Sequence, residues 1–115
     1  MYRAMRLNRE LLKGSITLLI LQLLLKKPMY GYEVIQEARR RSNEAFDLNE
    51  GTLYPALHQL EGKGFLESKW TVADNGRKRK YFSLTAKGRL RARNEEKGWA
   101  AFTSVINMIL RPEAR

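Results

Sequence analysis

A chain of 115 residues with a net charge of +10 can build one hydrophobic core but not two, and its charge favours polyanionic partners. The lack of cysteine removes disulfides, thiol catalysis and thiolate metal sites, and one histidine leaves a metal only scattered carboxylates. No nucleophile, acid–base pair or carboxylate cluster can be assembled, so an enzyme ranks last among the function classes and neither catalytic residue, metal nor cofactor is expected.

Arg3, Arg6, Arg9 and Lys13 ahead of an apolar run have the outline of a signal peptide. Lys26, Lys27 and Pro28 stand where a small-residue cleavage site belongs, and the run falls short of the roughly 20 residues of a membrane span. A cytoplasmic protein is expected. The first helix is predicted over about Asn8 to Lys27, closed by Pro28. Ile16, Leu18, Leu19, Ile20, Leu21, Leu23, Leu24 and Leu25 encircle its second half. A helix apolar on every side lacks the polar face of a membrane-surface helix and must be covered on every side. In so short a chain that implies a second subunit over Ile16, Leu19, Ile20 and Leu23.

A second helix is predicted from Gly31 to Arg41, packing through Val34, Ile35 and Ala38, and then Phe46 and Leu48 alternate as one small strand. The next helix runs from Glu50 to Lys63, with Asn49 or Thr52 as N-cap and Gly64 as its stop. Pro55 is tolerated there only if the regular helix starts late. Leu53, Leu57 and Leu60 share one face; Gly51, Pro55, His58 and Gln59 lie opposite, flanked by Thr52 and Tyr54. A merely solvated face has no use for Gly and Pro, which weaken a helix, so this one is read as a contact surface for DNA. His58 needs no role beyond completing that surface.

Phe65 to Val72 alternates as a strand with Trp70 as its large residue, and Tyr81 to Leu84 returns along it after the Asp74-Asn75-Gly76 turn. Arg77, Lys78, Arg79 and Lys80 then sit at or next to a hairpin tip; charge runs are usually solvated, but the turn aims this one beside the preceding helix, so phosphate contact is the favoured reading. From Lys69 to Arg93 nine basic residues face one acid, Asp74; of these Arg89, Arg91 and Arg93 read as a solvated helix face. Thr85 can cap a last helix in which Trp99, Phe102, Ile106, Ile109 and Leu110 fall within about 100° of arc, a stripe that calls for a partner. Trp99 is first an interface aromatic and second a stacking surface for a planar effector.

The expected fold is mainly α with a small β-hairpin (α+β). Its element order is that of a winged helix-turn-helix over residues 8–84 with a terminal dimerisation helix over 85–111, in a single domain. The leading reading is a sequence-specific, dimeric regulator on double-stranded DNA. The alternative is a nonspecific basic nucleic-acid-binding protein whose affinity tracks salt but not sequence. Its RNA version is disfavoured because the chain has no rows of surface aromatics.

KPMYGYEVIQ, GTLYPALHQLE and GRKRKYFSLTAKG together resemble the PadR family of bacterial transcriptional regulators, and WAAFTSVINMIL resembles the final helix of its short branch. The resemblance spans nearly the whole chain. It implies a homodimer with interlocked first and last helices, a near-palindromic operator, repression, and in some branches release by a small aromatic molecule near the dimer interface. Tyr30, Tyr32, Gly51, Thr52, Tyr54, Pro55 and the basic hairpin residues coincide with its motif positions. Gln59, Gly62, Phe82 and Ser83 depart from it, so no relative's operator can be borrowed.

Overall fold

The computed structural model describes residues 9–112, in the order α1 (Arg9–Lys26), β1 (Met29–Tyr30), α2 (Gly31–Arg41), α3 (Glu50–Gly62), β2 (Leu66–Val72), β3 (Lys78–Leu84) and α4 (Ala86–Leu110). Arg3, Arg6 and Asn8, which entered the reading of the N-terminus, lie outside these residues. Among the described residues no helix is long and apolar enough to cross a membrane.

The all-round apolar half of α1 becomes the axis of the core. It packs on α2, α3, α4 and β3, and these bury Ile16, Ile20, Leu21, Leu23 and Leu24, with Ile20 and Leu21 at 0 % exposure. The inference that a second subunit must cover Ile16, Ile20 and Leu23 is therefore corrected. Four elements of the same chain surround the helix, so these side chains have no surface left to offer a partner. Leu19 is half-buried against the same core. The polar interruption at Gln22 is satisfied internally, its side-chain amide donating to the Ala92 carbonyl of α4 at 2.7 Å.

α2 begins immediately after β1. Its first turn is secured by Glu33, whose Oε1 accepts from the Tyr30 backbone N–H at 3.2 Å. Gly31 is required here, because a Cβ at this position would come within 2.2 Å of the Tyr54 hydroxyl on α3. The two helices of the motif approach through that gap. The helix ends with Asn43 and Glu44 at φ values of 58° and 73°, the Glu44 N–H reaching back to the Arg39 carbonyl at 2.8 Å. Phe46 and Leu48 are buried, but no strand forms there, which corrects the sequence reading. Both point into the core from an irregular link, and their alternation records burial alone. The third strand is Met29–Tyr30 instead, paired with Phe82 and Tyr81 of β3.

α3 is regular from Glu50 onwards, with Asn49 Oδ1 accepting from the Thr52 N–H at 2.9 Å. Pro55 thus lies inside the helix, contrary to the expectation of a late start. The intrahelical hydrogen bond it removes is one that the carbonyl of exposed Gly51 would accept, and solvent can donate there instead. At the other end Gly64, at φ 83°, allows Phe65 N–H to bond the Leu60 carbonyl and Gly64 N–H the Glu61 carbonyl, both at 3.0 Å. Buried Leu60 and Phe65 close this cap.

The sheet has the order β1-β3-β2, all antiparallel. The hairpin turn is a three-residue loop: Gly76 N–H bonds the Ala73 carbonyl at 2.9 Å, Ala73 N–H bonds the Arg77 carbonyl at 2.8 Å, and Gly76 takes φ 84°. Thr85 caps α4, accepting from Gly88 N–H at 3.0 Å while its hydroxyl donates to the Gly64 carbonyl at 2.7 Å. Gly88 permits α4 to cross the α3–β2 corner, where a Cβ would fall 2.0 Å from the Phe65 carbonyl oxygen. Only Gly88 and Ala92 of the 25 residues of α4 are fully buried, and the helix extends beyond the body.

Candidate nucleic-acid interface

α3 divides as its period demands. Leu53 and Leu57 are 0 % exposed and Leu60 3 %, while Gly51, Thr52, Pro55, His58 and Gln59 are exposed on the opposite face. Tyr54 belongs to neither face. It is half-buried against Gly31, and burial pushes its hydroxyl pKa upward, with the charge of Glu50 adding to the effect. Its ring sets the spacing of α2 and α3, and the free surface of α3 is carried by the smaller side chains. Tyr32, on the first turn of α2, is 52 % exposed.

The strand period splits the basic run of the wing. Arg77 alone follows the turn, and Lys78, Arg79 and Lys80 are residues of β3, so the returning strand begins at Lys78 and not, as expected, at Tyr81. Lys78 lies opposite Val72 and Lys80 opposite Trp70 on the face that continues into buried Phe82 and Leu84; Arg79 lies opposite Thr71 on the other face. There the Arg79 guanidinium sits 4.5 Å above the Tyr30 ring, and Tyr30 meets Tyr81 edge-on at 5.4 Å. Tyr30 and Tyr81 thus form a shelf that holds the guanidinium over the outer face of the sheet.

Lys80 is held differently. Its Nζ lies 3.8 Å from Glu61 Oε1 near the end of α3 and 5.4 Å from the centroid of Phe82. The same carboxylate accepts a hydrogen bond from the Ser68 hydroxyl at 2.5 Å. One acid thereby ties the end of α3 to both strands of the wing. Sequence reasoning passed over Glu61 and Trp70 as site residues; alternation along 66–72 puts Trp70 on the Leu66 face, and only the tertiary contacts show that this stretch leaves the body and that Glu61 reaches it.

α4 carries a broad apolar surface. Trp99, Phe102, Ile109 and Leu110 are exposed at 48, 58, 72 and 66 %, and Ile106 is half-buried. Val105 and Met108, also exposed, widen the stripe to an arc of about 200°. Trp99 and Phe102 pack at 6.2 Å with an interplanar angle of 40°. They form one wall of an open groove of about 210 Å³, completed by Gly14 and Leu18 of α1 and by Asn94, Glu95 and Gly98 of α4.

The chain matches the Transcriptional regulator PadR-like family over residues 20–94. It is 36 % identical over 81 residues to the Transcriptional regulator Rv3488 of Mycobacterium tuberculosis, covering 70 % of this chain and 72 % of that protein. An uncharacterised protein of Lysinibacillus sphaericus is 34 % identical over 101 residues, 88 % of this chain and 93 % of its own length. Among solved structures, a transcriptional regulator from Clostridium thermocellum superposes with a TM-score of 0.82 at 27 % identity, covering 91 % of this chain and 99 % of that one.

Proposed function

Since the chain belongs to the PadR-like family of transcriptional regulators and is itself a DNA-binding regulator of that kind, we propose that it acts as a homodimeric repressor on a near-palindromic operator. The observation that carries this reading is the pairing of an uncommitted α3 face, from Gly51 to Gln59, with a basic wing tied to the end of the same helix through Glu61. α3 enters the major groove and the wing lies on the flanking backbone. Thr52 and His58 face the bases and phosphates, with Gly51 and Pro55 allowing close approach. Tyr32 reaches the backbone from α2, and Tyr30 contributes by holding Arg79. Tyr54 acts by spacing the two helices.

The second protomer docks on the apolar stripe of α4, through Trp99, Phe102, Ile106, Ile109 and Leu110, with Leu19 at its margin. A small aromatic effector binds in the groove beside Trp99 and Phe102, whose rings offer a stacking surface, with Asn94 and Glu95 as the polar lining.

Selection of bound duplexes from a randomised pool tests the reading. Two related half-sites centred about 34–36 Å apart are expected, together with repression of a reporter placed behind the selected sequence. Equal affinity for all duplexes at moderate salt would instead identify a nonspecific basic binder.

A further inference from the structure

The distal half of the wing carries an apolar surface that the fold does not use. On β2, Leu66 is buried and Ser68 is bonded to Glu61, but the next two residues of the same face, Trp70 and Val72, are 64 and 63 % exposed. Their cross-strand neighbours on that face are Lys80 and Lys78. The ribbon therefore runs past the end of α3 as an overhang, and Trp70, Val72 and Lys78 line an open groove of about 520 Å³ beneath it. A tryptophan and a valine left side by side in water on an edge strand are costly in solubility, and such patches mark contact surfaces.

The charge around the patch decides what covers it. Lys78 and Lys80 border it on the same face and Arg77 follows at the turn, against Asp74 at the turn and Glu61 beside Lys80, so the border is cationic on balance, disfavouring a second copy of the same surface and favouring a polyanion. The patch is also continuous with α3 through the Glu61 link to Ser68 and Lys80. In the DNA-binding reading above, a duplex on the outer face of α3 continues towards the wing. We propose that the overhang is a mixed apolar and cationic grip on the sugar–phosphate backbone of duplex DNA. Trp70 and Val72 pack on deoxyribose faces, and Lys78 and Lys80 pair with the phosphates on either side. The grip rests on the DNA-binding reading above and adds to it a component that salt does not screen.

That property separates the grip from the charges around it. Duplexes recovered from the randomised pool by the wild-type protein serve as the probe, and affinity is measured across a salt series by fluorescence anisotropy. W70A is expected to weaken binding about tenfold with an unchanged log–log salt slope, since it removes apolar area and no charge. K78Q is expected to flatten the slope by about 0.9 for each phosphate that the lysine no longer neutralises. W70F retains most of the wild-type affinity if an apolar ring on sugar is what matters. Circular dichroism checks that the variants, all at exposed positions, keep the fold. Wild-type affinity in W70A, while K78Q still binds more weakly, overturns the grip and leaves the DNA-binding reading intact. A drop in solution mass in W70A shows that copies of the chain meet at the wing and also overturns it. Failure of the wild type to bind any duplex removes the parent reading and this one together.

Discussion

Glu37 shows how a single residue organises the end of α2. Hydrogen bonds from the guanidinium of Arg40, and next from that of Arg41, hold its carboxyl at about 2 in place of the ordinary 4.5. The folded-state pKa is depressed, so the contribution is fully present above about pH 4.5 and is lost as pH falls towards 2. A carboxyl-resolved NMR titration should find a midpoint near 2 for Glu37; one near 4.5 would show that the two guanidinium bonds do not persist in solution. Gly31 makes a steric statement. A Cβ there would meet the hydroxyl, Cζ and Cε1 of Tyr54 at 2.2, 2.6 and 2.8 Å, a whole ring edge and not one flexible end. G31A should therefore cost about 1–3 kcal/mol in urea unfolding, as overpacking does. In a Y54A background the same change should cost far less, and equal costs in both backgrounds would place the strain elsewhere.

At the scale of elements, α3 and the wing form one unit through Glu61. Because this carboxylate partly occupies Lys80, the wing of the free protein offers one cation fewer to a phosphate than its sequence suggests. E61Q preserves a partner for Ser68 and releases Lys80. DNA binding in that variant should tighten at low salt, with the log–log slope steeper by up to about 0.9 per protomer; an unaltered slope would mean that Lys80 exchanges Glu61 for phosphate without cost. Elements governed by near neighbours were legible in the sequence: α2 ended where its composition said, and Gly64 and Gly76 took the left-handed conformations their turns require. What escaped was set by remote partners. β1 is two residues long and exists because the edge of β3 is there to receive it, and Phe46 and Leu48 alternate without any strand beside them. Trp70 was read only as the large residue of its strand, with no side assigned to it. A large aromatic in a strand is ordinarily core, and only the position where the ribbon leaves the body reveals it as surface.

For the molecule as a whole, burial and partnership part company. The helix that was read as needing a second subunit buries Ile16, Ile20 and Leu23 within its own chain and leaves Leu18, Leu19 and Leu25 half-buried, while α4, legible as a stripe, is left with seven large apolar side chains exposed from Leu90 to Leu110. A single protomer measuring 58 × 35 × 22 Å with such a projecting surface is poorly suited to remain alone. I106D should raise the dimer dissociation constant more than tenfold by sedimentation, since it buries an unpaired charge in an apolar seam. A wild type that sediments as a monomer at micromolar concentration would remove the basis for this expectation.

α4 starts one residue after β3 ends, and that residue, Thr85, is bonded to the Gly64 carbonyl at the corner between α3 and β2. No slack separates the rod from the reading head. With 25 residues the rod is about 37 Å long, so a tilt of about 5° at Thr85 displaces its far end by about 3 Å, and the converse holds for a displacement imposed at that end. The angle at which two such rods cross would set the distance between two wings as directly as the legs of a compass set the span of its points.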